Sequence, residues 1–150
     1  MSSKTIWDGT ISSPASSRQL LKLELVETRG RYTLGIGRTH PVCPICDHPI
    51  TAGPDLHEAL ITRGLIQGAG LQELTYHRCN VVLRHHVCPD KQYHTPGRGG
   101  MDTFRKCVVH LCEWEGTENV REYLQGIIEQ VPVLIDILRQ FETVVEEEHC

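Results

Sequence analysis

The stretch PVCPICDHP, residues 41–49, sets two cysteines three apart among prolines, with a histidine just after them. Thiolates at that spacing are half of a metal site, because a tight turn between them aims both sulfurs at one ion. The other half comes from HHVC, residues 85–88, where His85 and Cys88 repeat the spacing. Cys43, Cys46, His85 and Cys88 make a Cys3His set, the tetrahedral and closed coordination of a structural zinc ion. Such an ion supplies much of a small domain's folding free energy. His86 can stand in for His85, and Cys79 and His48 are outside candidates; the bland alternative is a pair of reduced thiols. Seven cysteines, an odd number with two packed into CxxC, favour metal over disulfides.

The loop between the two cysteine-containing pairs is far longer than in a nucleic-acid-binding finger, so something else is built on it. It contains LHEALITRG (56–64) and runs into CNVVLRHHVC (79–88), and seven of the nine histidines fall between residues 40 and 96. In these residues the chain resembles the HNH, or ββα-metal, endonuclease family. There a first strand carries a His-His or Asp-His pair, an Asn opens a second strand, and a short helix brings the last histidine. A zinc site of CxxC and [CH]xxC often wraps the motif. Asn80, His85 and Cys88 stand at the family's offsets, and the resemblance covers roughly residues 41–96.

The resemblance implies hydrolysis of DNA phosphodiester bonds with Mg2+, Mn2+ or another divalent ion as catalytic cofactor, beside the structural Zn2+. It makes His57, Glu58, Asn80 and His94 the catalytic centre, with His57 and His94 on the catalytic ion and Asn80 bracing the loop. Glu58 stands where the family has its second histidine. It is either the base, or a metal ligand while His57 is the base. Pro89 replaces the family's final histidine, and His94 is the substitute, with His86 and Asp90 as competitors. Small nucleases of this type occur in phages and mobile elements. A non-catalytic zinc module that binds nucleic acid or protein, its nuclease centre degenerate, is the rival reading.

Charge is arranged to suit a phosphate-binding surface. The net charge is −4, yet residues 63–106 hold seven cations against three carboxylates, and residues 113–150 hold two against ten. Arg63, Arg84, Lys91 and Arg98 are the candidate substrate-binding cations, and DNA the expected partner. No apolar run approaches the roughly 20 residues that span a bilayer. The N-terminus lacks the apolar core of a secretory signal, which points to the cytoplasm.

The elements that must position these groups follow from periodicity. LKLELVE alternates as a strand does, with a helix as the alternative, and RYTLGIG pairs back on it as an N-terminal β-hairpin. PDLHEALITRG reads as a strand ending at Gly64, NVVL as a second strand, and CPDKQYH as the opening of a helix. TFRKCVVHLCEWEG, TENVREYLQGIIEQ and PVLIDILRQFETVVEEEH repeat apolar residues at helical spacing, separated by Gly116 and Pro132. The second begins with Thr117 at a cap position. The third puts Val133, Ile137, Phe141, Val144 and Val145 near one face, a stripe for a homodimer or a protein partner. Its terminal glutamates oppose the helix dipole and predict fraying. The expected fold class is α+β: an extension or hairpin over 1–39, a zinc-stabilised ββα-metal core over 40–100 and amphipathic helices over 101–150.

Overall fold

The run expected to open the N-terminal hairpin is helical. In the computed structural model, which describes residues 14–33, 39–66, 71–86 and 100–150, helix α1 spans Pro14–Thr28. Its Leu, Lys, Gln, Glu and Arg residues are good helix formers. Leu21 and Leu25, four apart, face inward together with Val26, while Leu20 and Leu23 remain exposed. The alternation of LKLELVE is therefore apparent only. A hairpin does follow, shifted along the chain: β1 (Gly30–Thr33) pairs antiparallel with β2 (Thr39–Pro41), with a bulge between Gly30 and Tyr32.

A second antiparallel pair is the centre of the structure. Strand β3 (Asp55–Glu58) lies beside β4 (Val81–Arg84), with Leu56 opposite Leu83, His57 opposite Val82 and Glu58 opposite Val81. The first strand stops at Glu58, short of the expected Gly64, and Arg63–Ile66 forms a 3-10 turn. A pair of four-residue strands is not stable alone, and both of its faces are covered. Leu56, Val81 and Leu83 pack with Leu25, Cys43, Ile45 and Ile50. Val82 joins the larger core built on the C-terminal helices.

Those helices are α2 (Gly100–Glu115), α3 (Thr117–Gln130) and α4 (Ile135–Glu148), the last preceded by a 3-10 turn at Pro132–Leu134. Gly116 alone joins α2 to α3 and takes φ +93°, a left-handed conformation that disfavours any side chain. Gly116, not Thr117, is the cap residue of α3. Cys107, Val108, Leu111, Val120, Leu124, Ile127, Leu134, Phe141 and Val144 close the core between the three helices. The stripe on α4 is thus used inside the bundle, except Val133, which is 78% exposed. The expected fraying of the acidic end is offset by Arg105 of α2, whose guanidinium meets Glu147 at 2.7 Å and Glu148 at 3.1 Å. The helix runs to Glu148, and His149 closes it in the left-handed conformation.

Architecture is mixed α+β. Its layers are tied by a buried guanidinium. Arg29, 1% exposed, donates to the carbonyls of Val81 and Arg78 at 2.8 Å each and to Glu115 Oε2 at 2.8 Å. Arg78 binds the other oxygen of Glu115 at 2.6 Å and reaches Glu24 on α1. Burial raises the Glu115 pKa, but hydrogen bonds from Arg78 and Arg29 outweigh it and hold the carboxyl below its ordinary 4.5. A depressed carboxyl stabilises the fold above that ordinary value, and the contribution disappears as pH falls through the lowered one. We expect Arg29→Met to destabilise the chain by about 3 kcal/mol or more, as removal of one partner of a buried pair does. Glu115→Gln should flatten the acid limb of stability against pH, read by denaturant unfolding between pH 3 and 7.

Candidate metal centre and hairpin site

The cysteine knuckle is a small hairpin of its own. Asp47 N–H donates to the Cys43 carbonyl at 2.8 Å, and Cys43 N–H donates to the His48 carbonyl at 3.0 Å. Asp47 takes φ +62°, the left-handed residue that closes the turn. From α2, Lys106 Nζ donates to the Ile45 carbonyl at 3.1 Å. His85, one residue past β4, projects onto this turn because Leu83 and Leu56 seat the strands on Ile45 and Cys43.

Cys43 Sγ, Cys46 Sγ and a ring nitrogen of His85 lie within 4.8 Å of one another. Tetrahedral zinc, with Zn–S about 2.3 Å and Zn–N about 2.0 Å, sets its ligand atoms roughly 3.5 Å apart. His85 Nδ1 is 3.3 Å from Cys46 Sγ. Its other nitrogen, Nε2, is 3.2 Å from the Pro49 carbonyl. A carbonyl only accepts, so Nε2 carries the proton and Nδ1 presents its lone pair to the thiols. Metal-bound histidines are oriented in this way by a carbonyl on the far nitrogen. Cys43, Cys46 and His85 therefore form a group able to hold a metal ion, and their chemistry is compatible with zinc.

Of the alternatives, His48 lies in the knuckle turn itself but outside the ligand group, and His86 and Cys79 fall elsewhere. His86 Nδ1 meets Asp55 Oδ2 at 2.9 Å. Cys79 belongs to the helical core, and burial together with the nearby Glu115 charge pushes its thiol up to about 11, away from the thiolate a metal needs. Burial pushes the Cys107 thiol up to about 12, as expected of a packed core residue. Cys88, Lys91, His94 and Arg98, with Pro89, Asp90 and the helix expected to open at Cys88, lie outside the described residues.

Asn80 is fully buried and clamps the chain that follows β3. Its Oδ1 accepts from the backbone N–H groups of Leu60 at 3.1 Å and Ile61 at 2.8 Å, and its Nδ2 donates to the carbonyls of Ile61 at 2.7 Å and Thr75 at 3.0 Å. Both acceptor lone pairs and both N–H donors of its head group are thereby occupied. The Asn80 carbonyl also accepts from Ala59 N–H at 2.7 Å, extending the pairing of β3 and β4.

His57 and Glu58, adjacent on β3, point to opposite faces of the strand pair. His57 is partly buried on the side of Val82 and Arg84, toward the helices. Arg84 Nε is buried there without a hydrogen-bond partner among the described residues. Glu58 is held on the other side. Its carboxylate receives the Arg63 backbone N–H at 3.1 Å and the Thr75 hydroxyl at 3.2 Å, and pairs with Arg63 Nε at 3.2 Å. His57 and Arg84 share a face of the strand pair; Glu58 and Arg63 form a separate pair. Among the described residues no second group of three His, Cys, Asp or Glu able to hold a metal surrounds His57.

No family model, curated protein or solved structure matches this chain.

Sequence reasoning missed the Pro49 carbonyl behind His85 and the Arg29–Glu115–Arg78 cluster. Neither has a sequence signal, since a backbone acceptor has no residue type and the cluster's members are up to 86 positions apart. No helix among the described residues is long and apolar enough to cross a membrane.

Two outcomes follow from this geometry. The purified chain is expected to hold one zinc per molecule by elemental analysis, with Cys43→Ser or a strong chelator releasing the ion and lowering the melting temperature. Asn80→Ala strands four buried backbone groups and should cost about 3 kcal/mol or more at about 1 kcal/mol per bond, and Asn80→Asp, which keeps the acceptors but sets a buried carboxylate against the Ile61 and Thr75 carbonyls, should destabilise as well, both read by denaturant unfolding.

Proposed function

We propose that this chain is a metal-dependent endonuclease of the HNH type that hydrolyses DNA phosphodiester bonds. The observation that carries the reading is the Asn80 clamp. An asparagine directly before β4 braces the segment that follows the histidine-bearing β3, and a metal-binding Cys43–Cys46–His85 group closes the far end of the same strand pair. In this reading the group, completed by Cys88, holds a structural zinc ion.

Hydrolysis needs a proton acceptor for the attacking water, a hold on the phosphate and neutralisation of the charge on the leaving oxygen. With Glu58 committed to Arg63 and Thr75, proton acceptance falls to His57. Arg84, on the same face, holds a non-bridging phosphate oxygen with a planar, permanently charged donor. Arg63, Lys91 and Arg98 add phosphate contacts whose strength falls with salt. A divalent ion such as Mg2+ or Mn2+, bound with the help of His94, would supply the remaining electrostatic stabilisation.

The rival, a non-catalytic zinc module for nucleic acid or protein, is favoured by one observation: the carboxylate at the family's second-histidine position faces away from His57. Supercoiled plasmid with Mg2+ or Mn2+ separates the two. Nicking is expected, slowed by roughly 100-fold or more in His57→Ala with zinc content unchanged, and largely kept in Glu58→Gln. Intact plasmid with both ions, together with retained DNA binding, would favour the module.

A further inference from the structure

Helix α1 presents Arg18 and Lys22, four residues apart and so on one face, to the outer side of β3. Arg18 Nη2 donates to the Leu56 carbonyl at 3.0 Å, which fixes its guanidinium against the strand. Across from them stand Arg63 and Tyr76. The Arg63 guanidinium donates to the Tyr76 hydroxyl at 2.9 Å and lies 5.7 Å from the centre of its ring. These four side chains, with Asp55 and Leu56, line a cleft of about 360 Å3.

The charge in the cleft is not balanced. Asp55 is hydrogen-bonded to His86 and keeps its charge unless that ring is protonated, and Arg63 is partly neutralised by Glu58, which leaves three cations against two carboxylates. Among the described residues Arg18 and Lys22 have no carboxylate partner, so their two charges face the cleft. Its volume is that of a small-ligand pocket, room for a nucleotide or two and not for a double helix. An anionic group beside a planar one is the chemistry these walls fit: phosphates on Arg18 and Lys22, and a base against the Tyr76 ring backed by Arg63.

We propose that this cleft, at the outer edge of β3, binds a segment of single-stranded nucleic acid. The choice of a nucleic acid rests on the nuclease reading; the composition of the cleft does not.

The test is binding alone, by fluorescence anisotropy of a labelled oligothymidylate with no divalent ion added. Arg18→Ala with Lys22→Ala should weaken binding about tenfold or more and reduce the slope of log affinity against log salt by about 1.4, the value for two phosphates on a single strand. Lys22→Ala alone keeps the Arg18–Leu56 bond and should lower the slope by about 0.7, which serves if the double variant fails to fold. Tyr76→Leu should cost about fivefold or more on the oligothymidylate and nothing on an abasic strand of equal length, with Tyr76→Phe close to wild type. Wild-type affinity and slope in Lys22→Ala, or no binding by the unmodified chain, would overturn the proposal. Binding without plasmid nicking would sink the nuclease reading and leave the cleft standing, whereas nicking with no effect of these variants would do the reverse.

Discussion

A guanidinium removed from water holds this chain together. Arg29 directly follows the first helix, and its donors reach the carbonyls of Arg78 and Val81 at the entry to β4 and the carboxylate of Glu115 at the end of α2. A charge buried to this extent is costly unless every donor finds an acceptor. Donor and acceptors come from three distant parts of the sequence, around residues 29, 78–81 and 115, so they must be assembled together or not at all. The N-terminal helix, the strand pair and the helical bundle are thereby set in one arrangement. Arg78, sharing Glu115 and reaching Glu24, repeats the link at the surface.

Within that frame the β3–β4 pair is fastened at both ends. At one end Asn80 absorbs the backbone groups of the chain leaving β3, groups that would otherwise be buried without partners. At the other, His85 is delivered to the knuckle thiols, with the Pro49 carbonyl selecting which ring nitrogen faces them. Each fastening is polar and directional, and the apolar layers on the two faces supply the bulk of the burial. Short strands so constrained hold His57 and Arg84 on one side and Glu58 with Arg63 on the other. That separation is a consequence of the pleat, and it decides which of these side chains share a surface.

Cationic groups are divided in the same way. Arg84 belongs to the face covered by α2, whereas Arg18, Lys22 and Arg63 gather at the outer side of β3. The C-terminal segment, residues 113–150, is acidic. Part of its charge is spent within the bundle, where Arg121 binds both oxygens of Glu142 and Arg105 meets Glu147 and Glu148. The negative net charge of the chain therefore says little about the potential near the strand pair.

Much of this was legible in the sequence, because it depends on local spacing. Cysteines three apart predict a knuckle whatever surrounds them, helical periodicity over 103–130 fixes two amphipathic helices, and Asn80 before a β-branched run marks a strand entry. The rest needed the tertiary structure. LKLELVE satisfies strand and helix patterns alike, and the choice fell to the core, which had room for Leu21 and Leu25 on one helical face. His85 and His86 are equivalent as letters; only the position of the knuckle separates them. Glu58 is a plausible acid beside a histidine in sequence, but the strand turns it toward Arg63 and Thr75. Long-range partners such as Arg29 and Glu115 leave no periodic trace, since the free energy that pairs them comes from exclusion of water at a place that exists only after folding.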